Sequence, residues 1–106
     1  MKTIDYSLQS IDFFFRINKN KGLLPTKYFQ KNGIEFVEFD NTPLNDPSLS
    51  MDAIGLMTTF LSKSFYDLFS IHEIFLWSSD THKTTAFTLI ELVDSGYLEI
   101  FKIYYN

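Results

Sequence analysis

Residues 47–62, PSLSMDAIGLMTTFLS, and residues 69–98, FSIHEIFLWSSDTHKTTAFTLIELVDSGYL, decide the fold. Ser50 is a good N-cap for a helix over Met51–Ser62, and Asp52 favours its first turn. Ile54, Leu56, Met57, Phe60 and Leu61 recur near helical spacing. Gly55 inside that run costs up to about 1 kcal/mol relative to alanine, so it is expected to admit a second backbone at close range. Ser70-Ile71-His72-Glu73 is a capping box, in which hydroxyl and carboxylate each satisfy a free backbone N–H. It opens a short helix, Ile71–Trp77, followed by a turn at Ser78-Ser79-Asp80. A third helix runs over Thr81–Asp94, with Gly96 as its C′ residue. Tyr97–Tyr105 then reads as a strand with apolar or aromatic residues on both faces.

Upstream, Ile11–Ile17 (IDFFFRI) reads as a strand and Asn18–Gly22 as a polar turn. Pro25–Gln30 is expected to form one helical turn. Asn32-Gly33 is a strong turn dipeptide, because both residues tolerate positive φ. Ile34–Phe39 reads as a second strand, with Ile11–Ile17 as a candidate partner. Asp40–Pro47, rich in Asn, Asp and Pro, is a loop. The expected organisation is one domain, with a β-rich extension over 1–46 and a helical core with a closing strand over 47–106.

At 106 residues the chain suits a single domain. It is 45% hydrophobic and 18% aromatic, which fills a core and excludes disorder. Twelve Phe and six Tyr exceed what a small core needs, so some rings are expected at the surface to serve a partner. There is no Cys, which excludes disulfides and thiolate metal sites and points to an intracellular, cytoplasmic protein. MKTIDYSLQSID has no apolar run and no cleavage site, so no signal peptide is expected, and no run is long enough to span a membrane. The net charge is −4, unevenly placed. Arg16, Lys19, Lys21, Lys27 and Lys31 occur with no acidic residue between them, whereas the helical half is acidic.

The order of these signals resembles the winged helix-turn-helix domains that begin many replication proteins of phages, plasmids and mobile elements of Gram-positive bacteria. The resemblance rests on Asp46-Pro47-Ser48-Leu49-Ser50, then Ala53-Ile54-Gly55-Leu56, then Leu61-Ser62. It closes with Glu91-Leu92-Val93-Asp94-Ser95-Gly96-Tyr97-Leu98. It covers about half of the chain and implies an α+β winged helix with an N-terminal β extension. Two departures matter. The wing's return strand is missing after Asn106, so Ile11–Ile17 is expected to complete the sheet. The longer replication proteins continue into another domain, and this chain resembles their module standing alone.

In such a fold the third helix enters the major groove and needs Arg, Lys, Asn, Gln or Ser on its outer face. With Gly96-Tyr97-Leu98 fixing the register, Thr85, Thr88, Leu89 and Leu92 point inward. Lys83, Ala86, Phe87, Ile90 and Val93 point outward. A helix that is apolar all round should be covered. A partner protein, a second copy, or the N-terminal arm is the expected cover, and groove reading is disfavoured. Thr81, His82, Lys83 and Thr84 can still meet phosphates at the helix start.

The better nucleic-acid candidate is the stretch containing Arg16, Lys19, Lys21, Lys27, Tyr28 and Lys31. There cations can hold phosphates while Tyr28 and Phe29 stack bases, which suits single strands more than duplex. The bland alternative is a solvated basic hairpin that balances the acidic half. His72 and His82 lack ligand spacing, no phosphate loop occurs, and Glu35 and Glu38 would face opposite sides of a strand. The serines lack a nucleophile context and read as caps or turns. Trp77 is expected in the core, and Tyr104 and Tyr105 at an exposed sheet end or a partner contact.

These readings lead to a non-enzymatic accessory protein of a mobile-element or phage replication system, without metal or cofactor. Ala86, Phe87, Ile90 and Val93 would dock a larger replication protein (polymerase, helicase or initiator) or a second copy. The basic arm would contact DNA. The alternatives are a sequence-specific transcriptional regulator, or an acidic inhibitor that mimics DNA through Asp80, Glu91, Asp94 and Glu99 against a host nuclease or polymerase.

Overall fold

The computed structural model describes residues 10–105, so the N-terminal stretch read for a signal peptide lies largely outside the described residues. The architecture is α+β, with three helices and two antiparallel sheets. In chain order the elements are β1 (Ser10–Ile17), β2 (Lys27–Lys31), β3 (Ile34–Glu38), α1 (Met51–Lys63), β4 (Phe69–Ser70), α2 (Ile71–Trp77), α3 (His82–Asp94) and β5 (Leu98–Tyr105).

The helix boundaries follow from caps. The Ser50, Ser70 and Thr81 hydroxyls accept hydrogen bonds from the backbone N–H groups of Ala53, Glu73 and Thr84, respectively. Each satisfies one of the free donors of a helix start. At Ser70 only this half of the capping box forms. The end of α3 is a full Schellman motif: Gly96 has φ 83°, its N–H reaches Val93 O at 3.0 Å, and the Tyr97 N–H reaches Leu92 O at 2.9 Å.

β1 lies at the centre of a sheet ordered β4-β1-β5. It pairs with β5 along its whole length, from Ser10 opposite Tyr105 to Ile17 opposite Leu98. Phe14 and Phe15 also face Ser70 and Phe69 of β4. The expectation that Ile11–Ile17 completes the sheet is met. Its pairing with Ile34–Phe39 is not: β3 pairs with β2 in a separate hairpin. The segment read as a helical turn, Pro25–Gln30, instead leads into and forms most of β2. Asn32 (φ 53°) and Gly33 (φ 75°) connect the two strands. Two successive positive φ values are what a tight I′ hairpin requires.

The core is one cluster beneath the three-stranded sheet. Phe15 and Ile17 of β1 meet Ala53, Met57, Phe60 and Leu61 of α1, Ile74 of α2, and Leu89 and Leu92 of α3. Phe60, Phe69 and Trp77 pack edge to face at centroid distances of 4.8–6.0 Å, a favoured aromatic geometry. Trp77 is half-buried against this core, as expected. Gly55 departs from expectation, since a Cβ added there would meet nothing within 4 Å. Among the described residues no helix is long and apolar enough to cross a membrane.

Candidate interaction surfaces

The inner and outer faces of α3 separate as its register predicts, with one exception. Thr85, Thr88, Leu89 and Leu92 are buried. Lys83 is exposed, Ala86 half-buried, and Phe87 and Ile90 are 61% and 53% exposed. Val93, expected outward, packs against the core. The apolar outer stripe thus narrows to Phe87 and Ile90, with Ala86 between them. No described part of the N-terminal arm buries it. At the start of the helix His82 stacks flat on Phe75, at 4.1 Å between centroids with 4° between planes.

The basic stretch is dispersed by the fold. The Arg16 guanidinium donates to Glu99 Oε2 at 2.9 Å and lies 4.9 Å from the centre of the Phe101 ring. Lys21 donates to Ser95 O at 3.0 Å and sits 4.3 Å from the centre of the Tyr97 ring. It therefore acts as a cation at the C-terminus of α3, where free carbonyls and the helix dipole favour positive charge. Asn18 closes the same corner, donating from Nδ2 to Gly96 O at 3.0 Å and from its backbone to Tyr97 O at 2.9 Å. Lys19 is exposed on the turn, and Lys27 and Lys31 lie on the hairpin. Arg16, Lys21 and the hairpin lysines therefore do not form one continuous cationic surface.

The hairpin was read as basic, and its pairing, its apolar faces and its charge balance are what sequence reading missed. All residues of β2 and β3 are exposed. Lys27 stands opposite Glu38, Phe29 opposite Phe36, and Tyr28 opposite Val37. Alternation puts Phe29, Ile34 and Phe36 on one face, and Tyr28 and Val37 on the other. The two lysines are matched by Glu35 and Glu38, so the hairpin carries no net charge. Its base is tied to the end of α1, where Thr26 Oγ1 donates to Leu61 O at 2.8 Å and the Tyr28 hydroxyl to Lys63 O at 3.3 Å. The available signal was the lack of strict alternation in Ile34–Phe39, which leaves apolar residues for both faces.

The motif pieces that carry the resemblance meet in space. Tyr97 is buried, and its hydroxyl donates to Asp46 Oδ2 at 2.7 Å. The Glu91 carboxylate accepts from both the Ser50 backbone N–H and hydroxyl, at 2.7 and 2.6 Å. Hydrogen bonds from Ser48 and from Tyr97 hold the Asp46 carboxyl down to about 2, whereas burial and the neighbouring carboxylate push the Tyr97 phenol up to about 12. These residues fasten the loop before α1 to the end of α3, which is a structural role.

The chain matches no family model, no curated protein and no solved structure.

Proposed function

We propose that this chain is a winged-helix adaptor that acts by binding rather than by catalysis, and that it docks a larger replication protein through the outer face of α3. The observation that carries the docking reading is the exposure of Phe87 and Ile90 on a helix whose opposite face is fully buried. A groove reader needs polar side chains at those positions. The winged-helix reading is supported by the order α1-β4-α2-α3-β5, with β1 in the place of the return strand. The class of partner rests on the sequence resemblance alone.

DNA enters this reading through Lys19, Lys27, Tyr28 and Lys31 of the arm and Lys83 of α3, with single strands favoured by the exposed ring. Arg16 and Lys21 are engaged within the fold. The acidic-mimic reading is weakened in the same way, because Glu91 and Glu99 are held by Ser50 and Arg16.

The test is sedimentation of the protein with purified initiator, helicase and polymerase components of a Gram-positive phage or plasmid. The Phe87→Glu/Ile90→Glu variant should remain folded by circular dichroism and lose the complex. A complex that survives these changes, or a variant that unfolds because the stripe is internal core, overturns the reading.

A further inference from the structure

An open cleft of about 280 Å³ lies between the start of α1, the α2–α3 turn and the inner face of α3. Two features that weaken the fold border it. Gly55 sits inside α1, where glycine destabilises a helix relative to alanine, and among the described residues no atom lies within 4 Å of where its side chain would stand. Thr85 is 3% exposed, and its Oγ1 is buried with no hydrogen-bond partner among the described residues. Buried hydroxyls nearly always have a partner, and an unpaired one is costly. Both become intelligible if a group enters the cleft, lies against the bare backbone at Gly55 and donates an N–H to Thr85.

The lining identifies that group's chemistry. Asp52 and Asp80 are exposed and border the cleft, and among the described residues no Lys, Arg or His lines it. Met51, Leu56 and Trp77 give it apolar walls. The volume lies at the low end for ligand pockets, suited to one slender group rather than a large cofactor. We propose that this cleft binds a guanidinium or primary ammonium group on a short aliphatic stem. The group is carried either by a small free amine or by an Arg or Lys side chain of a partner protein. The carboxylates attract the charge, the apolar walls take the stem, and Thr85 accepts an N–H. None of the lining residues belongs to the outer stripe of α3, so this proposal and the docking proposal fail independently.

Trp77 is the only Trp of the chain and lines the cleft, so its fluorescence reports occupancy. The experiment titrates the full chain with butylguanidinium, with neutral butylurea, and with a short capped Gly-Arg-Gly peptide. Butylguanidinium should produce a saturable change in emission, and butylurea should bind at least about tenfold more weakly, a difference of about 1.4 kcal/mol. Asp52→Asn/Asp80→Asn, and separately Gly55→Gln, should each weaken butylguanidinium by a similar factor, with melting curves recorded to verify folding. A peptide that binds about tenfold more tightly than butylguanidinium assigns the group to a protein partner, and equal affinity assigns it to a free amine. The absence of a saturable response, or a response unchanged in both folded variants, overturns the proposal.

Discussion

The Tyr97 hydroxyl donates a 2.7 Å hydrogen bond to Asp46 Oδ2, joining segments 51 residues apart in the chain. The buried ring also lies beneath Lys21, its N–H bonds Leu92 O, and its carbonyl accepts from Asn18. One residue thus fixes the end of α3, the start of β5, the loop before α1 and the turn after β1.

This contact gives the protein a pH dependence at both extremes. The Asp46 carboxyl falls from 3.8 to about 2 on folding, chiefly through Ser48 and then Tyr97. A depressed carboxyl adds stability that is complete above its unfolded value and is lost as the pH falls from about 4 to about 2. The Tyr97 phenol rises from 10.0 to about 12, through burial first and then Asp46. Its contribution is complete below about pH 10 and declines as the pH rises towards 12. Melting temperatures across both ranges should show the two declines. Asp46→Asn should flatten the acid limb, and Tyr97→Phe the alkaline limb, the latter at a cost of about 1–2 kcal/mol at neutral pH.

The grip of Glu91 on Ser50 should appear as coupling. Ser50→Ala removes the N-cap of α1 and one of the bonds to Glu91, and should cost about 1–2 kcal/mol in urea melts. Glu91→Ala should cost about 1 kcal/mol. The double variant should cost less than the sum, with a coupling of at least about 0.5 kcal/mol. Strict additivity would mean that the two side chains act separately.

Thr85→Val should stabilise the protein by about 1 kcal/mol, because it replaces an unpartnered buried hydroxyl with a methyl group of the same shape. Leu92→Ala, in the same helix but fully buried and apolar, should destabilise by about 2–5 kcal/mol. Thermal melts of the two variants, run side by side, check both signs.

The basic residues should divide into two groups. Arg16→Ala and Lys21→Ala should each lower stability by about 0.5–1 kcal/mol, the first through its lost contacts with Glu99 and Phe101 of β5 and the second through its lost contacts at the end of α3. Lys19→Ala and Lys31→Ala should leave the melting temperature unchanged. If DNA is a ligand, anisotropy with a fluorescent oligonucleotide should show affinity falling steeply with salt and reduced by Lys19→Ala and Lys31→Ala.

The helical half was legible because its signals are local. Ser50 and Ser70 cap the helices they precede, and Gly96 closes α3 with the φ that its position demands, whereas Thr81, read as the first helical residue, is the N-cap of α3. β1 was legible as a strand from the short aromatic run Ile11–Ile17. β2 was not, because Tyr28 and Phe29 stay about half exposed and their strand partners, among the described residues, lie only across the hairpin. The five-residue runs flanking Asn32-Gly33 held the signal, and symmetry about that dipeptide would have found it. The fates of Arg16 and Lys21 were invisible because Glu99 and Ser95 lie far along the chain. Gly55 suggested close packing, but the space beside it is open. The outer stripe of α3 was readable from periodicity, except at Val93, which packs against the core.

The pairing of β1 with β5 also sets the order of assembly. Phe13, Phe14 and Phe15 are made well before the strand that pairs with them along their full length. Long-range pairings of this kind slow folding, because a large loop must close before any contact rewards it. Until Leu98–Tyr105 emerges, the one strand available to β1 among the described residues is the two-residue β4, which meets Phe14 and Phe15 alone, and aromatic runs left open in this way are where nascent chains aggregate. A chain cut before Leu98 should be recovered as insoluble material, whereas one carrying β5 should fold.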